Sequence, residues 1–158
     1  MTPAEMMLRL LLAAGLGAAI GLEREYRRKP AGLRTNMLIA IGSALFTMLS
    51  YEAARVTGTP DRIAAQIVTG VGFLGGGAIL RSGSTIHGMT TAATIWVNAA
   101  IGMAAGAGAF AMATMATLIA LIVLCVLPPI EAYFDRRMGT SSLHDREAQE
   151  RSVKSPDE

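Results

Sequence analysis

Residues 109–127 read AFAMATMATLIALIVLCVL, nineteen residues without a charged side chain. A helix of about 20 apolar residues crosses the roughly 30 Å hydrocarbon core of a bilayer, so this stretch has the length and composition of a membrane span. Four similar segments precede it, and the five predicted spans lie near residues 6–22, 36–54, 63–80, 89–107 and 109–127. The sequence therefore predicts an all-α, polytopic membrane helix bundle of about five transmembrane helices.

The composition of the whole chain favours a membrane domain over a soluble one. Of the 158 residues, 52% are hydrophobic and 16% are charged, whereas soluble domains carry about 25% charged residues. From residue 131 onward the composition shifts to charge, Ser and Pro. We expect a transmembrane domain over residues 1–130 and a charged, disordered cytoplasmic tail over residues 131–158.

Lysine and arginine are divided unequally between the two sides of the predicted bundle. With five spans, eleven fall on the side of the first loop, the third loop and the tail. The other three are Arg9, Arg55 and Arg62. The positive-inside rule then places the N-terminus outside and the C-terminus in the cytoplasm of a multi-pass membrane protein. If the glycine-rich junction 102–108 were only a kink in one long helix, four spans would result and the basic tail would lie outside.

Several classes of function find no support in the sequence. The basic residues lie beside apolar segments rather than along a stripe, so we expect no nucleic-acid partner. His87 and His144 stand apart, and no Ser/His/Asp set, HExxH motif or metal-spaced Cys/His cluster occurs, so we expect neither an enzyme nor a cofactor. No carboxylate lies in mid-span, and this absence disfavours a tight, dehydrated magnesium site. The metal ligands are therefore unknown, and a weak path for hydrated magnesium stays open.

Glycines recur four positions apart in the predicted spans, at Gly17 and Gly21 and again at Gly102 and Gly106. This spacing lets two helix backbones approach closely in lipid, where the usual hydrophobic drive is missing. The third span carries a glycine run at which the helix could instead break and expose backbone groups. The expected helix-packing residues are Gly17, Gly21, Gly70, Gly72, Gly75, Gly76, Gly77, Gly102 and Gly106.

Polar side chains inside the spans are the other signal. Gln66 lies about one turn into the third span and Asn98 midway through the fourth. An amide in hydrocarbon needs a hydrogen-bonding partner, which an interhelical contact or a ligand in a shared polar cavity would supply. Arg9, one turn inside the first span, is expected to snorkel outward or to pair with a carboxylate near that face.

A weak internal repeat relates the first pair of spans to the second at an offset of 56 residues, with Gly32 aligned to Gly88 and Thr35 to Thr91. Parallel repeats of this kind occur in some transporters. The repeat, the glycine run at residues 75–77 and the polar Gln, Asn and Thr side chains together keep a transport function open.

Four stretches, in this order, resemble the MgtC/SapB family. They are GLERE at 21–25, AGLRTN at 31–36, RIAAQIVTGVGFLG at 62–75 and GMTTAATIW at 88–96. The resemblance implies a bacterial inner-membrane protein of a virulence-related family, linked to magnesium homeostasis or adaptation to low magnesium. It favours a regulatory role through membrane partners, with the F-type ATP synthase as a partner by resemblance only. Five small helices leave much surface to pack within the lipid bilayer, so a homo-oligomer is also open. The alternative is a transporter or channel for magnesium or another small solute.

Two departures separate the chain from the better-known virulence members of that family. Those members carry an ACT-like cytoplasmic domain after the last helix, where a short charged tail stands here, and they tend to have Asn at the position of Thr90. The chain therefore resembles the shorter SapB-like form. The expected functional polar centre comprises Glu23, Arg34, Thr35, Arg62, Gln66, Arg81, Thr90 and Thr91 by resemblance, with Asp61 and Asn98 added on physical grounds.

Overall fold

The computed structural model describes residues 1–58, 62–83 and 85–138. In order, its elements are α1 Pro3–Tyr26, α2 Leu33–Thr57, α3 Arg62–Gly77, β1 Leu80–Ser82, β2 Thr85–His87, α4 Met89–Gly106 and α5 Phe110–Met138. The predicted all-α fold with five helices is confirmed. The two three-residue strands, which the sequence did not suggest, form an antiparallel hairpin between α3 and α4. Residues 131–138, predicted to belong to a disordered tail, form the end of helix α5, and the rest of the predicted tail lies outside the described residues.

Three of the described helices could cross a membrane by length and composition: Pro3–Tyr26, Leu33–Arg55 and Phe110–Phe134. The other two are shorter or more polar. Helix α3 has 16 residues and is about 24 Å long, and α4 carries Asn98 and three threonines within 18 residues. Membrane crossing by α3 and α4, like the orientation of the termini, stays a prediction.

Helices α1 and α2 extend beyond the predicted apolar segments at both ends. Helix α1 begins with a capping box, in which the Thr2 hydroxyl accepts from the Glu5 backbone N–H and the Glu5 carboxylate accepts from that of Thr2. Glycine 32 has no side chain to cap α2, and Glu25 takes that role by accepting from the Leu33 N–H at 3.2 Å. The polar ends of both helices are therefore ordered by local hydrogen bonds.

The glycine-rich junction between α4 and α5 is a tight turn. Helix α4 ends at Gly106, Gly108 adopts a left-handed backbone with φ +82°, and the Ala109 N–H donates to the Ala104 carbonyl. The turn separates two helices, so residues 102–108 are not a kink in one continuous helix, and the number of membrane spans stays a prediction.

The chain divides into two compact units, Met1–Leu121 and Ile122–Glu158, with the boundary inside α5. The described part of the second unit, up to residue 138, is helical and contains Pro128 and Pro129. In the first unit α4 is central, with nine of its 18 residues buried, and it packs against α1, α2 and α3.

The interface between α2 and α4 brings backbone against backbone. A β-carbon built at Gly106 would lie 2.5 Å from the Ala44 carbonyl oxygen, and one at Gly102 would overlap the Ala40 carbonyl oxygen. Alanines fill the remaining space, and Ala40 and Ala44 are fully buried. Close contact of small residues holds this unit together, as is usual where helices pack within lipid.

Candidate functional site

A buried arginine joins α1 to α4 at the end of the bundle where α1 ends. Arg24 is 4% exposed, and its Nη2 donates to the Thr91 Oγ1 at 2.9 Å. Because α1 continues past the predicted span, Arg24 lies on the same helical face as the buried Gly17 and Gly21. A charge that the sequence assigned to a loop is therefore part of the interior.

Two turns further along α4, a pair of asparagines joins α4 to α2. Asn36 and Asn98 are both fully buried. The Asn98 Nδ2 donates to the backbone oxygen of Asn36 at 2.6 Å and to its Oδ1 at 3.2 Å. The Asn36 Nδ2 in turn donates to the carbonyls of Ala31 and Gly32 at the start of α2. Most of the polar capacity of both amides is thus taken up by hydrogen bonds between and within helices.

Glu23 is also shielded, although it faces a different partner. Its side chain is 7% exposed, and Oε1 forms an ion pair with the Arg27 Nε at 2.6 Å, one helical turn away. The Glu23 Oε2 has no hydrogen-bonding partner among the described residues, and the same holds for the Arg24 Nε and the Asn98 Oδ1. Such atoms are costly when buried, and each could accept or donate to a small polar ligand or a water molecule.

The other predicted members of the polar centre do not join this cluster. The exposed ones are Arg34, Thr35, Arg62, Gln66, Arg81 and Thr90. Arg81 donates to the Gly83 carbonyl within the hairpin, and Asp61 lies outside the described residues. In the structure Thr91 contacts Arg24, and Asn98 contacts Asn36. Arg24 and Asn36 were not assigned to the site, although they stand within the quoted GLERE and AGLRTN stretches. Within the described ranges, no group of three or more His, Cys, Asp or Glu could hold a metal ion.

The predicted helix-packing glycines fall into two groups. Those in contact across helices are Gly17 and Gly21 of α1 against α2, Gly102 and Gly106 of α4 against α2, and Gly75 of α3 beside Ala92 of α4. Those with open space where a β-carbon would stand are Gly70, Gly72, Gly76 and Gly77. The run 75–77 forms the last turn of α3, and the Ala78 N–H donates to the Gly75 carbonyl, so the helix ends there rather than breaking.

The open glycines of α3 border a groove of about 540 Å³ between α2 and α3. Its lining is formed by Leu38, Ile39, Gly42, Ser43 and Phe46 of α2 and by Ile63, Gln66, Ile67, Gly70, Val71 and Leu74 of α3. Gly42 and Gly70 both face open space. The groove is apolar, with Gln66 and Ser43 as its polar side chains.

Arg9, for which a snorkelling position or a carboxylate partner was expected, instead contacts a helix end. Its Nη1 donates to the Gly106 carbonyl at 2.7 Å, at the C-terminus of α4. A cation at that position satisfies an unpaired carbonyl and complements the negative end of the helix dipole.

Comparison with known proteins connects these features to a family. Residues 10–133 match the model of the MgtC family. An uncharacterized protein of Synechocystis, slr0014, is 44% identical over 133 residues, covering 84% of this chain and 56% of that protein. Protein MgtC of Salmonella typhimurium LT2 is 50% identical over 119 residues, covering 75% and 49%.

A third relative is the Escherichia coli K12 protein named "Putative magnesium transporter YhiD", 51% identical over 128 residues and covering 77% and 60%. The chain spans about half the length of the curated relatives it matches. No solved structure matches it.

Proposed function

The chain belongs to the MgtC family, and from that premise we propose that it is a multi-pass inner-membrane protein that supports magnesium homeostasis by binding a membrane partner. The family match and the three membrane-length helices support a membrane location. The name of the YhiD relative supports the link to magnesium. The regulatory role and the inner membrane are the parts that we propose for this chain.

The groove between α2 and α3 is the observation that carries the proposal. The buried polar groups of α1, α2 and α4 are largely used in hydrogen bonds to one another, and the backbones of α2 and α4 touch. The groove, in contrast, has room on both walls at Gly42 and Gly70. A ridge of side chains on a partner's transmembrane helix could enter it, because small residues let helices approach closely in lipid. The Gln66 amide would give such a helix a polar contact.

Filling the groove tests this role. Gly70→Leu is expected to reduce growth at limiting magnesium to that of a strain lacking the gene, because the leucine occupies the space a partner helix needs. Gly15→Leu is the matched control, since Gly15, like Gly70, lies within a helix and has open space where a β-carbon would stand. Growth of complemented strains, with the amount of protein in the membrane measured in parallel, provides the readout. Full complementation by Gly70→Leu would refute a partner site in the groove.

A second function, a transporter or channel, is favoured by one specific observation. The Glu23 Oε2, Arg24 Nε and Asn98 Oδ1 are buried without partners among the described residues and could contact a polar solute or its water. Uptake into sealed liposomes that contain a magnesium indicator separates the two functions. The regulatory proposal expects uptake equal to that of empty liposomes. If the purified protein takes up magnesium and the Asn98→Leu variant does not, the regulatory proposal is replaced by a transport function.

A further inference from the structure

A second cavity lies at the end of the first unit where α1 begins and α2 and α4 end. Its volume is about 340 Å³. Its lining residues are Met1, Arg9, Tyr51, Glu52, Arg55 and Ala107. Two arginines, one glutamate and one phenol thus surround a single space, at the end of the bundle away from Arg24 and Thr91 and outside the groove between α2 and α3.

The two arginines are held in different ways. The bond from the Arg9 Nη1 to the Gly106 carbonyl fixes one guanidinium against α4. A guanidinium has five N–H donors, so a single bond leaves it able to contact a second acceptor. The Arg55 Nη1 lies 3.4 Å from the Glu52 Oε1, and their side chains are 65% and 53% exposed. Such an exposed ion pair adds little to the stability of a helix. Helix stability alone therefore does not explain why Glu52 and Arg55 lie at a cavity.

The depth of the cavity indicates the class of ligand. Two of the helices that border it, α1 and α2, are of membrane-crossing length and meet the cavity near their ends. Tyr51 is 46% exposed, and tyrosine favours the interface between hydrocarbon and water. A ligand in this cavity would therefore lie at the level of the phospholipid headgroups.

We propose that the cavity binds a phosphoethanolamine headgroup. Its phosphate would accept hydrogen bonds from the guanidinium groups of Arg9 and Arg55, and its ammonium would donate to the Glu52 carboxylate. A purely anionic headgroup has no ammonium that could donate to the Glu52 carboxylate. The quaternary ammonium of choline has no N–H to donate. The arrangement of two cations and one anion matches a headgroup that carries both a phosphate and a primary amine.

Native mass spectrometry of the purified chain with lipids of identical acyl chains tests the proposal. Phosphatidylethanolamine is expected to bind about fivefold more tightly than phosphatidylcholine or phosphatidylglycerol, the size of one partly exposed ion pair. Arg55→Gln is expected to lower that affinity about fivefold. Glu52→Gln is expected to remove the preference over phosphatidylcholine and to raise the affinity for phosphatidylglycerol. Arg34→Gln, an exposed arginine at the other end of α2, is the matched control and should change nothing.

The same measurements can overturn the proposal. Equal affinity for the three lipids would do so, as would equal effects of Arg55→Gln and Arg34→Gln. Free O-phosphoethanolamine is added as a competitor, and competition at concentrations equal to the lipid would assign the site to a soluble ligand instead of a membrane lipid. Thermal unfolding of each variant shows that the fold is retained, which is expected because Glu52 and Arg55 are exposed and Arg9, which caps α4, is left intact.

Discussion

Gly102→Ala is expected to lower the free energy of unfolding by about 3 kcal/mol, the upper part of the range for overpacking a tight interface. The added methyl group would overlap the Ala40 carbonyl oxygen and lie 2.8 Å from the Ala40 Cα. Both atoms belong to the backbone of α2, so a change of side-chain rotamer cannot relieve the overlap. Helices α2 and α4 would have to separate, and the hydrogen bonds from Asn98 to Asn36 would lengthen with them.

The control for this prediction is Gly15→Ala, because no atom lies within 4 Å of a β-carbon built at Gly15. Alanine is the better helix former by about 1 kcal/mol, so this substitution should leave stability unchanged or raise it. Titration with sodium dodecyl sulfate in mixed micelles, followed by circular dichroism, measures both effects. Gly106→Ala should behave like Gly102→Ala. Wild-type stability of both variants would show that the backbones of α2 and α4 do not touch.

The positions of most helices are predictable from the lengths of the apolar segments, but the residues at which the helices begin and end are not. The segments at 6–22 and 36–54 each coincide with a helix, but α1 continues to Tyr26 and α2 begins at Leu33. The extra turn of α1 contains Glu23 and Arg24, which read as loop residues because they are charged. Their place in the helix depends on partners, Arg27 within α1 and Thr91 on α4, that hydropathy does not register.

The phase of a helix likewise decides which residues of one motif enter the site. Arg34, Thr35 and Asn36 are adjacent in the sequence and successive side chains are turned by about 100° around the helix. Only Asn36 of the three points into the bundle, and the other two are exposed. The spacing of glycines likewise predicts which of them share a helix face. Whether another helix packs on that face depends on the arrangement of neighbouring helices. Gly102 meets α2, whereas Gly70 borders an open groove.

Thr91→Val is expected to lower the free energy of unfolding by about 2 kcal/mol, within the range for losing a hydrogen bond to a charged group. Valine has nearly the same shape as threonine, so the substitution removes the acceptor for the Arg24 Nη2 without leaving a cavity. Since the Arg24 Nε already has no partner among the described residues, the guanidinium would lose the one side-chain contact shown for it in the interior. Thr91→Ser keeps the hydroxyl and should restore most of the loss.

Thr94→Val is the matched control, because Thr94 is also buried on α4 but its hydroxyl donates to the Thr90 carbonyl of its own helix. Removing that bond frees no charged group and should cost well under about 1 kcal/mol. A difference between the two variants, measured by the same titration, would establish the Arg24–Thr91 contact as a connection between α1 and α4. Equal effects would mean that water solvates the Arg24 guanidinium in the folded protein. A hydrated interior at that position would support a polar path along α4 past Asn98, and would shift the balance from a regulatory protein toward a transporter.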